Sequence, residues 1–326
     1  MNTRWLSLLA VPLLAATQFA AQSDAALPYP TRPVRLIVSA LPGTPPDTLS
    51  RVIAEPLATA LGKPVVVDNR PGGSGTIGLG PVAKAAPDGH TLGTIGLPQI
   101  VAPNLVAQMS YEPVRDLTPV TQLVWTANIL VVRSSSPLNS LAEFVALAKA
   151  KPGQLTHASA GNGSPSHLAS ELFKHRAGIE VRHVLYKGIT GGLAAVMGGE
   201  VDITFAGIAT ALPLAQAGKL RALAGAGARR LPALPDLPTI AELGYAGYQL
   251  NEWYGMVAPA GTPLPIAARL ANEIAHIIAL PETNSRLALL GLYPVEKPGP
   301  EAFTAFIRLE VPRWKQIVRD VGIRIE

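Results

Sequence analysis

The sequence predicts an α/β protein of two lobes. Three observations carry this prediction. The chain has 326 residues, about twice the length of an average domain. Short apolar segments alternate with helix-like segments along it, and this pattern starts again after residue 128. Apolar strands joined through helices are typical of βαβ units around a mainly parallel sheet.

The first group of elements lies before residue 96. Val34–Val38 is an apolar run between a proline and a Pro/Gly turn, which predicts a buried strand. The segment 47–61 repeats its apolar residues at steps of three and four, which predicts a helix. A second strand, a second helix and a third strand are predicted at 65–67, 74–86 and 91–95.

The second group begins with a strand at 128–132. Ser140 and Glu143 form a capping-box pattern, which predicts the start of a helix that ends near Gly153. Further strands, separated by helical stretches, are predicted at 155–158, 182–186, 201–205 and 220–224.

The last part of the chain returns to the first group. Thr239 and Glu242 repeat the capping-box pattern, and a strand is predicted at 254–258. Three helices are predicted after it, at 263–280, 282–290 and 301–321.

The two apolar strands that bracket the second group suggest how the lobes are divided. We predict a discontinuous first lobe, residues 27–127 plus 256–326, and a second lobe inserted at 128–255. Two chain crossings would then form a hinge, and small ligands tend to bind in such an interlobe cleft.

The first 26 residues are predicted to be a secretory signal peptide. Arg4 precedes an apolar run from Trp5 to Ala16, and small residues follow. This run is too short to span a bilayer comfortably, and no later segment has 18 consecutive apolar residues. The mature chain is therefore predicted to be exported and not embedded in a membrane.

Composition excludes several classes of function. The chain has no cysteine, which excludes thiol nucleophiles, thiolate metal sites and disulfides. Its formal charge of +5 does not come from a block of Lys and Arg, so we predict no nucleic-acid partner.

No cofactor or metal pattern is complete. Gly73, Gly75 and Gly78 match the dinucleotide pattern Gly-x-Gly-x-x-Gly, but they follow the second strand and lack a later acidic residue for the ribose. Four histidines that lie close in sequence match no common zinc spacing and are interpreted as surface or packing residues. They are His157, His167, His175 and His183. We predict no cofactor and no metal.

Two Gly-rich turns are suited to anions. The segment Leu41–Asp47 leads from the first strand into the first helix, and Ala160–His167 does the same in the second group. Free main-chain amides at a helix start, together with the helix dipole, bind carboxylate or phosphate without a cation. One such turn in each lobe predicts a site for a small anion.

An exported serine hydrolase or esterase stays open as an alternative. Ser164 and Ser166 stand next to His167 in sequence. However, there is no Gly-x-Ser-x-Gly turn, and adjacency in sequence is not triad geometry.

At these turns the sequence resembles the extracytoplasmic solute receptors of tripartite tricarboxylate transporters, also called Bug-type or TctC-type proteins. The resemblance covers nearly the whole mature chain. Short segments that follow one another in the order found in the family carry it. Among them are Asp68-Asn-Arg-Pro-Gly-Gly, Ala86-Pro-Asp-Gly-His, Ser159-Ala-Gly-Asn-Gly-Ser-Pro-Ser-His and Gly199-Glu-Val-Asp.

The resemblance implies a fold, a location and partners. The fold would be a type II-like periplasmic-binding-protein fold with two crossover strands at its hinge. The protein would be a periplasmic, monomeric receptor rather than an enzyme, and it would close on one small organic carboxylate for membrane permease subunits. A ligand sensor that acts through a signalling partner is a further alternative.

The resemblance also implies ligand-binding residues. In the first lobe these are Pro42, Gly43, Thr44 and Asp47. In the second lobe they are Ser159, Ala160, Gly161, Asn162, Gly163, Ser164, Ser166, His167, Lys187, Asp202 and Ala206.

Two departures from the family pattern bear on the pocket. Thr44 replaces a glycine and two prolines follow it, so fewer amide donors remain there and the Thr44 hydroxyl would donate instead. Ala206 and Gly207 replace an Asp-Asn pair of many relatives, which predicts a more apolar distal end.

Overall fold

The computed structural model describes residues 29–106 and 108–323, without the side chain of Ser74. The predicted signal peptide, residues 1–26, lies outside the described residues. Within the described part of the chain, no helix combines the length and the apolar character needed to cross a membrane.

Strands and helices alternate over most of the described chain. The strands are β1 (Val34–Val38), β2 (Val65–Asn69), β3 (Thr91–Gly96), β4 (Leu117–Thr126), β5 (Asn128–Arg133), β6 (Thr156–Ser159), β7 (Arg182–Leu185), β8 (Ile203–Gly207), β9 (Leu220–Gly225), β10 (Glu252–Pro259) and β11 (Tyr293–Pro294). The helices are α1 (Pro45–Leu61), α2 (Thr76–Ala83), α3 (Leu97–Val101), α4 (Leu141–Ala150), α5 (Pro165–Ala177), α6 (Ile189–Gly198), α7 (Ile208–Gln216), α8 (Leu264–Ala279), α9 (Pro281–Leu289) and α10 (Pro300–Val321).

Two sheets organise these elements, one in each lobe. The first sheet has the strand order β11-β4-β10-β3-β1-β2, and the second has the order β7-β6-β8-β5-β9. The predicted α/β class and the two-lobed arrangement are confirmed. Every strand and helix that was predicted with bounds is present, with bounds that shift by a few residues, but the capping-box pattern of Thr239 and Glu242 begins no helix.

The sheets are mixed, so the prediction of mainly parallel sheets was wrong. Strand β1 runs parallel to β2 and β3, and β6 runs parallel to β7 and β8. Strand β10 is antiparallel to β3 and β4, while β5 is antiparallel to β8 and β9. Strands β5 and β10, which carry the chain into the second sheet and back, run opposite to the parallel strands, and β11 does the same at the edge of the first sheet. Their direction could not be read from apolar runs.

Sequence analysis missed strand β4. Pro119, Thr121 and Gln122 interrupt its apolar residues, and proline cannot donate to a sheet ladder. The structure accommodates Pro119 opposite Val257 of β10, where the register of the pair shifts. This strand matters for the hinge, because the single residue Ala127 connects it to β5 of the other sheet.

Helix α10 packs against both lobes. Near its start, Phe303 lies in the core beside Trp253 of β10, with ring centroids 5.6 Å apart. Near its end, Trp314 and Val318 belong to the core cluster of the second sheet, together with Phe173 of α5. The predicted lobe bounds stay a prediction, but they assign the whole of this helix to the first lobe.

The two contacts of α10 generate a stability prediction. Trp314 is fully buried, and its indole Nε1 donates to Glu310 Oε2 at 3.1 Å. Replacing it with alanine is expected to lower the free energy of unfolding by about 3–5 kcal/mol through the cavity it leaves. Leu309→Ala on the same helix is the control, because Leu309 is 71% exposed, and it should stay within about 0.5 kcal/mol.

Chemical denaturation of the wild type and both variants measures these differences. A Trp314→Ala variant as stable as Leu309→Ala would contradict a core position for the end of α10.

Candidate functional site

A cavity of about 460 Å³ lies between the two sheets. It opens at the carboxyl ends of parallel strands in both lobes: Ser39 follows β1, Gly96 ends β3, Ala160 follows β6 and Gly207 ends β8. Its volume falls within the usual range for small-molecule sites.

Helices begin at this cavity from both sides. The N-cap residue, which precedes the first helical turn, lines the cavity in five helices of 8 to 17 residues, namely α1, α2, α5, α6 and α7. These N-caps are Thr44, Gly75, Ser164, Gly188 and Gly207. A helix start carries roughly half a positive elementary charge. No described lining residue is Lys, Arg or His, so the helix starts are the source of positive charge that this lining offers.

The glycines of the dinucleotide-like pattern lie at one of these helix starts, that of α2. Gly75 has a φ of +84°, and a Cβ atom there would lie 1.9 Å from the Gln99 side-chain amide. The positive φ, which other residues rarely adopt, favours glycine at this start of α2, and a Cβ atom would also displace the Gln99 amide. This packing role accounts for part of the motif without a nucleotide.

The first-lobe turn uses its polar groups internally. The Gly43 amide donates to Asp47 Oδ2 at 2.8 Å, and both the amide and the hydroxyl of Thr44 donate to the Leu41 carbonyl. Thr44 lines the cavity, whereas Pro42 and Gly43 face solvent and Asp47 is buried. The expected hydroxyl donor at Thr44 is thus engaged within its own turn.

The buried carboxylate of Asp47 holds this turn in place through hydrogen bonds. Its carboxylate accepts from Gly43, Arg51 and Asn69, the last at 2.9 Å. Burial acts to raise the pKa of Asp47, but these hydrogen bonds and the Arg51 charge outweigh it and lower that pKa below its usual value. A charged Asp47 therefore fixes the conformation that brings Thr44 to the cavity.

The second-lobe turn is also closed by hydrogen bonds of its own. Main-chain amides of Ala160, Gly161 and Gly163 donate to Ser166 Oγ, Ser159 Oγ and His167 Nδ1, at 2.9, 3.1 and 3.2 Å. The Ser164 amide donates to the Gly161 carbonyl at 3.1 Å. Residues 160–164 and Ser166 all line the cavity. The expectation that this turn offers a row of free amides was wrong for these four donors.

Open amides lie instead at the starts of α5 and α7. Ser166, Ala209 and Thr210 lie in the first turns of these helices, where an amide has no i−4 partner inside its own helix, and the α7 start has no side-chain cap. All three residues line the cavity. The sequence analysis did not identify the start of α7, because it treated Ala206 and Gly207 only as replacements for a polar Asp-Asn pair. The available signal was Gly207, two residues after the strand predicted at 201–205, since glycine is accepted at helix N-caps.

Several buried polar residues also line the cavity. Among them, Asn128, Ser39 and Glu252 are 2%, 7% and 7% exposed. Glu252 Oε1 accepts from the Tyr254 hydroxyl at 2.7 Å. Burial raises the pKa of Glu252, and this single hydrogen bond only partly opposes it. None of these three residues was predicted to belong to the site.

The histidines of the second lobe stack behind its turn. The ring of His183 lies 4.8 Å from that of His157 and 4.6 Å from that of His167. His183 Nε2 lies 2.6 Å from Ser159 Oγ, and His157 Nε2 lies 3.2 Å from Glu171 Oε1. Burial lowers the pKa of His167 and of His183 to about 4 each, so the stack is neutral at pH 7. Ser159 and His167 therefore support the turn from outside the cavity.

Three predicted site residues lie neither in the cavity lining nor in the two turns beside it. Lys187 is exposed. Asp202 lies at the opposite edge of the second sheet, where its carboxylate accepts from the Thr156 amide at 2.8 Å. Ala206 is fully buried and packs on the other face of β8, so Phe205 and Gly207 line the cavity in its place.

No triad forms around the two serines of the hydrolase alternative. Ser164 Oγ and Ser166 Oγ lie 3.0 Å apart, and neither bonds to an imidazole nitrogen among the described residues. The contact between Ser159 and His183 involves a hydroxyl that is fully buried behind the turn.

Comparison with known proteins gives a family and several similar structures. The model of the tripartite tricarboxylate transporter family receptor, TctC, matches residues 49–323. An R. palustris protein solved with adipate is 35% identical, with a TM-score of 0.82 over 91% of this chain and 100% of that one. The periplasmic binding protein BugD is 32% identical, with a TM-score of 0.81 over 91% of this chain and 100% of its own. MatC from Rhodopseudomonas palustris, solved with malate, is 33% identical, with a TM-score of 0.79 over 89% of this chain and 100% of its own.

The histidine stack generates a pH prediction. The folded-state pKa of about 4 at His167 and His183 lies below the unfolded value of about 6.5. The unfolded chain therefore binds protons first as pH falls, and the free energy of unfolding should decrease from pH 6.5 towards pH 4. His183→Gln should reduce this slope by up to about one bound proton.

Urea denaturation at several pH values measures the slope. His175→Gln is the matched control, because His175 is exposed on α5. A slope unaltered in His183→Gln would contradict a neutral, buried stack.

Proposed function

This chain belongs to the TctC family of tripartite tricarboxylate transporter receptors, and on that premise we propose that it captures a small organic carboxylate between its lobes in the periplasm. The lobes, residues 27–127 plus 256–326 and residues 128–255, close on the ligand by bending where the chain crosses between the sheets. The loaded receptor then delivers the ligand to membrane permease subunits.

The observation that carries this proposal is the meeting of five helix starts at a cavity whose described lining has no cationic side chain. Each helix start contributes roughly 0.3–1 kcal/mol to the binding of an anion, and more where it is partly buried. A hydrogen bond to a charged group adds about 1.5–3 kcal/mol. The open amides of Ser166, Ala209 and Thr210 are the main-chain donors that would make such bonds.

The remaining lining suits the carbon skeleton of an organic acid. Ile95, Pro98, Ile189 and Phe205 line the cavity with apolar surface. A ligand with a carboxylate at the helix starts and a short carbon body would cover both kinds of lining. Two similar structures were solved with adipate and with malate, which supports a carboxylate as the ligand class.

We assign two roles to the residues implied by the resemblance. Thr44, residues 160–164 and Ser166 line the cavity and would contact the ligand. Pro42, Gly43, Asp47, Ser159 and His167 would act through the shape of the two turns. Lys187, Asp202 and Ala206 have no part in the proposed contacts.

A thermal-shift panel of mono- and dicarboxylates tests the ligand class. A ligand that binds only the folded state stabilises it by about 2.7 kcal/mol when present at a hundred times its dissociation constant. At least one acid should therefore raise the melting temperature, whereas the matching amides and alcohols should not. A panel in which no carboxylate raises it, or in which amides raise it equally, would contradict the proposal.

An Ala209→Pro variant tests the main-chain donors. Ala209 is the second residue of α7, and α1 already carries prolines at its first two positions, so the substitution should preserve the helix. Losing one charge-assisted hydrogen bond of about 1.5–3 kcal/mol should weaken carboxylate binding by roughly 10- to 150-fold.

The matched control is Ala142→Pro, at the second position of α4, which does not line the cavity. Calorimetric titration with an acid from the panel measures both variants. Equal affinities in Ala209→Pro and Ala142→Pro would remove the α7 start from the binding site.

A further inference from the structure

We propose that Glu252 selects ligands that carry an amino group in addition to their carboxylate, so that the cavity takes an amino acid or a related amino-substituted acid rather than a plain dicarboxylate. This inference rests on the proposed function and specifies its ligand class.

The position of Glu252 points to a contact with the ligand. It is the first residue of β10, where the chain enters the first sheet from the second lobe, and it is 7% exposed while lining the cavity. The Tyr254 hydroxyl donates to Oε1 at 2.7 Å. No other described residue donates a hydrogen bond to this carboxyl group, so Oε2 keeps its full accepting capacity.

The charges that line the cavity indicate which chemical group of a ligand Glu252 would bind. A buried carboxylate without a partner is costly, and a cation with hydrogen-bond donors is its usual partner. The described lining supplies no Lys, Arg or His to fill that role. A ligand ammonium group would bring both a positive charge and three donors.

One further polar side chain beside the cavity could accept from the ligand. Asn128 is 2% exposed and lines the cavity together with Glu252, and its side chain makes no hydrogen bond to any described residue. Its side-chain carbonyl oxygen is therefore available to a donor on the ligand.

The cavity would therefore recognise opposite charges with different parts of its lining. Helix starts bind the carboxylate of the ligand, and Glu252 together with Asn128 binds the ammonium group. A dicarboxylate would place its second anion in a cavity that already contains a buried acid, and like charges at close range repel each other.

The experiment is calorimetric titration at pH 7 with matched acids: butyrate, 2-aminobutyrate, 4-aminobutyrate and glutarate. These probes share a short carbon chain and differ in the presence and position of an amino group or a second carboxylate. The wild type should bind one of the amino acids at least tenfold more tightly than butyrate and glutarate. This ranking is measured on the wild type and does not depend on whether a variant folds.

Glu252→Gln removes the charge and retains the shape. In this variant the preference for the amino acid should fall below threefold, and the affinity for glutarate should rise. Glu55→Gln is the control, because Glu55 is exposed on α1 and the substitution is the same; it should retain the wild-type ranking. Thermal melting confirms that both variants are folded.

Three outcomes would overturn the inference: a wild type that binds butyrate or glutarate as tightly as the amino acids, a Glu252→Gln variant that keeps the amino preference, or glutarate binding that tightens at lower pH only while Glu252 is present. The last would make Glu252 a neutral donor. In each case carboxylates still bind and the proposed function stands. Failure of all four acids to bind would overturn this inference, and the thermal-shift panel of carboxylates would then decide the proposed function separately.

Discussion

The binding cavity depends on one constraint of chain topology. A helix that follows a parallel strand begins at the carboxyl end of that strand, and parallel neighbours end at the same edge of their sheet. In this protein β1, β2 and β3 precede α1, α2 and α3, and β6, β7 and β8 precede α5, α6 and α7. Because both edges face the same cavity, the helix starts meet there, and their dipoles supply a positive potential that no described lining side chain supplies.

The chain crosses between the lobes twice, and helix α10 forms a further connection by packing against both of them. A single residue, Ala127, separates β4 from β5, and the antiparallel strand β10 returns the chain to the first sheet. Helix α10 then contributes Phe303 to one core and Trp314 to the other. Any bending that opens the cleft must therefore be accommodated by α10 as well as by the two crossing segments.

Most of the fold could be predicted from the sequence, because hydrophobic periodicity is a local property. Strand β4 could not, since Pro119 and its polar neighbours hide a pairing that only the partner strands create. The reciprocal hydrogen bonds between Thr239 and Glu242 did form, but they close a turn without a helix. A capping pattern marks where a helix can begin, and the packing of the later residues decides whether one forms.

The site was less predictable, because it depends on contacts between distant residues. Both Gly-rich turns were located, but whether an amide is free depends on acceptors such as His167 Nδ1, which occupies the Gly163 amide. The histidine spacings had no meaning until the register of β6 and β7 paired His157 with His183. Glu252 gave no local signal, since its place in the cavity depends on where β10 begins.

In the proposed mode of binding, peptide dipoles recognise the charge of the ligand and side chains recognise its carbon skeleton. Where an arginine or lysine holds the ligand, a single codon change can abolish charge recognition. The proposed contacts to the carboxylate belong to the backbone, which every residue shares, so side chains such as Phe205 and Ile189 could be exchanged to fit another solute while those contacts persist. A scaffold of this kind lets specificity diversify among gene copies without passing through a form that no longer binds.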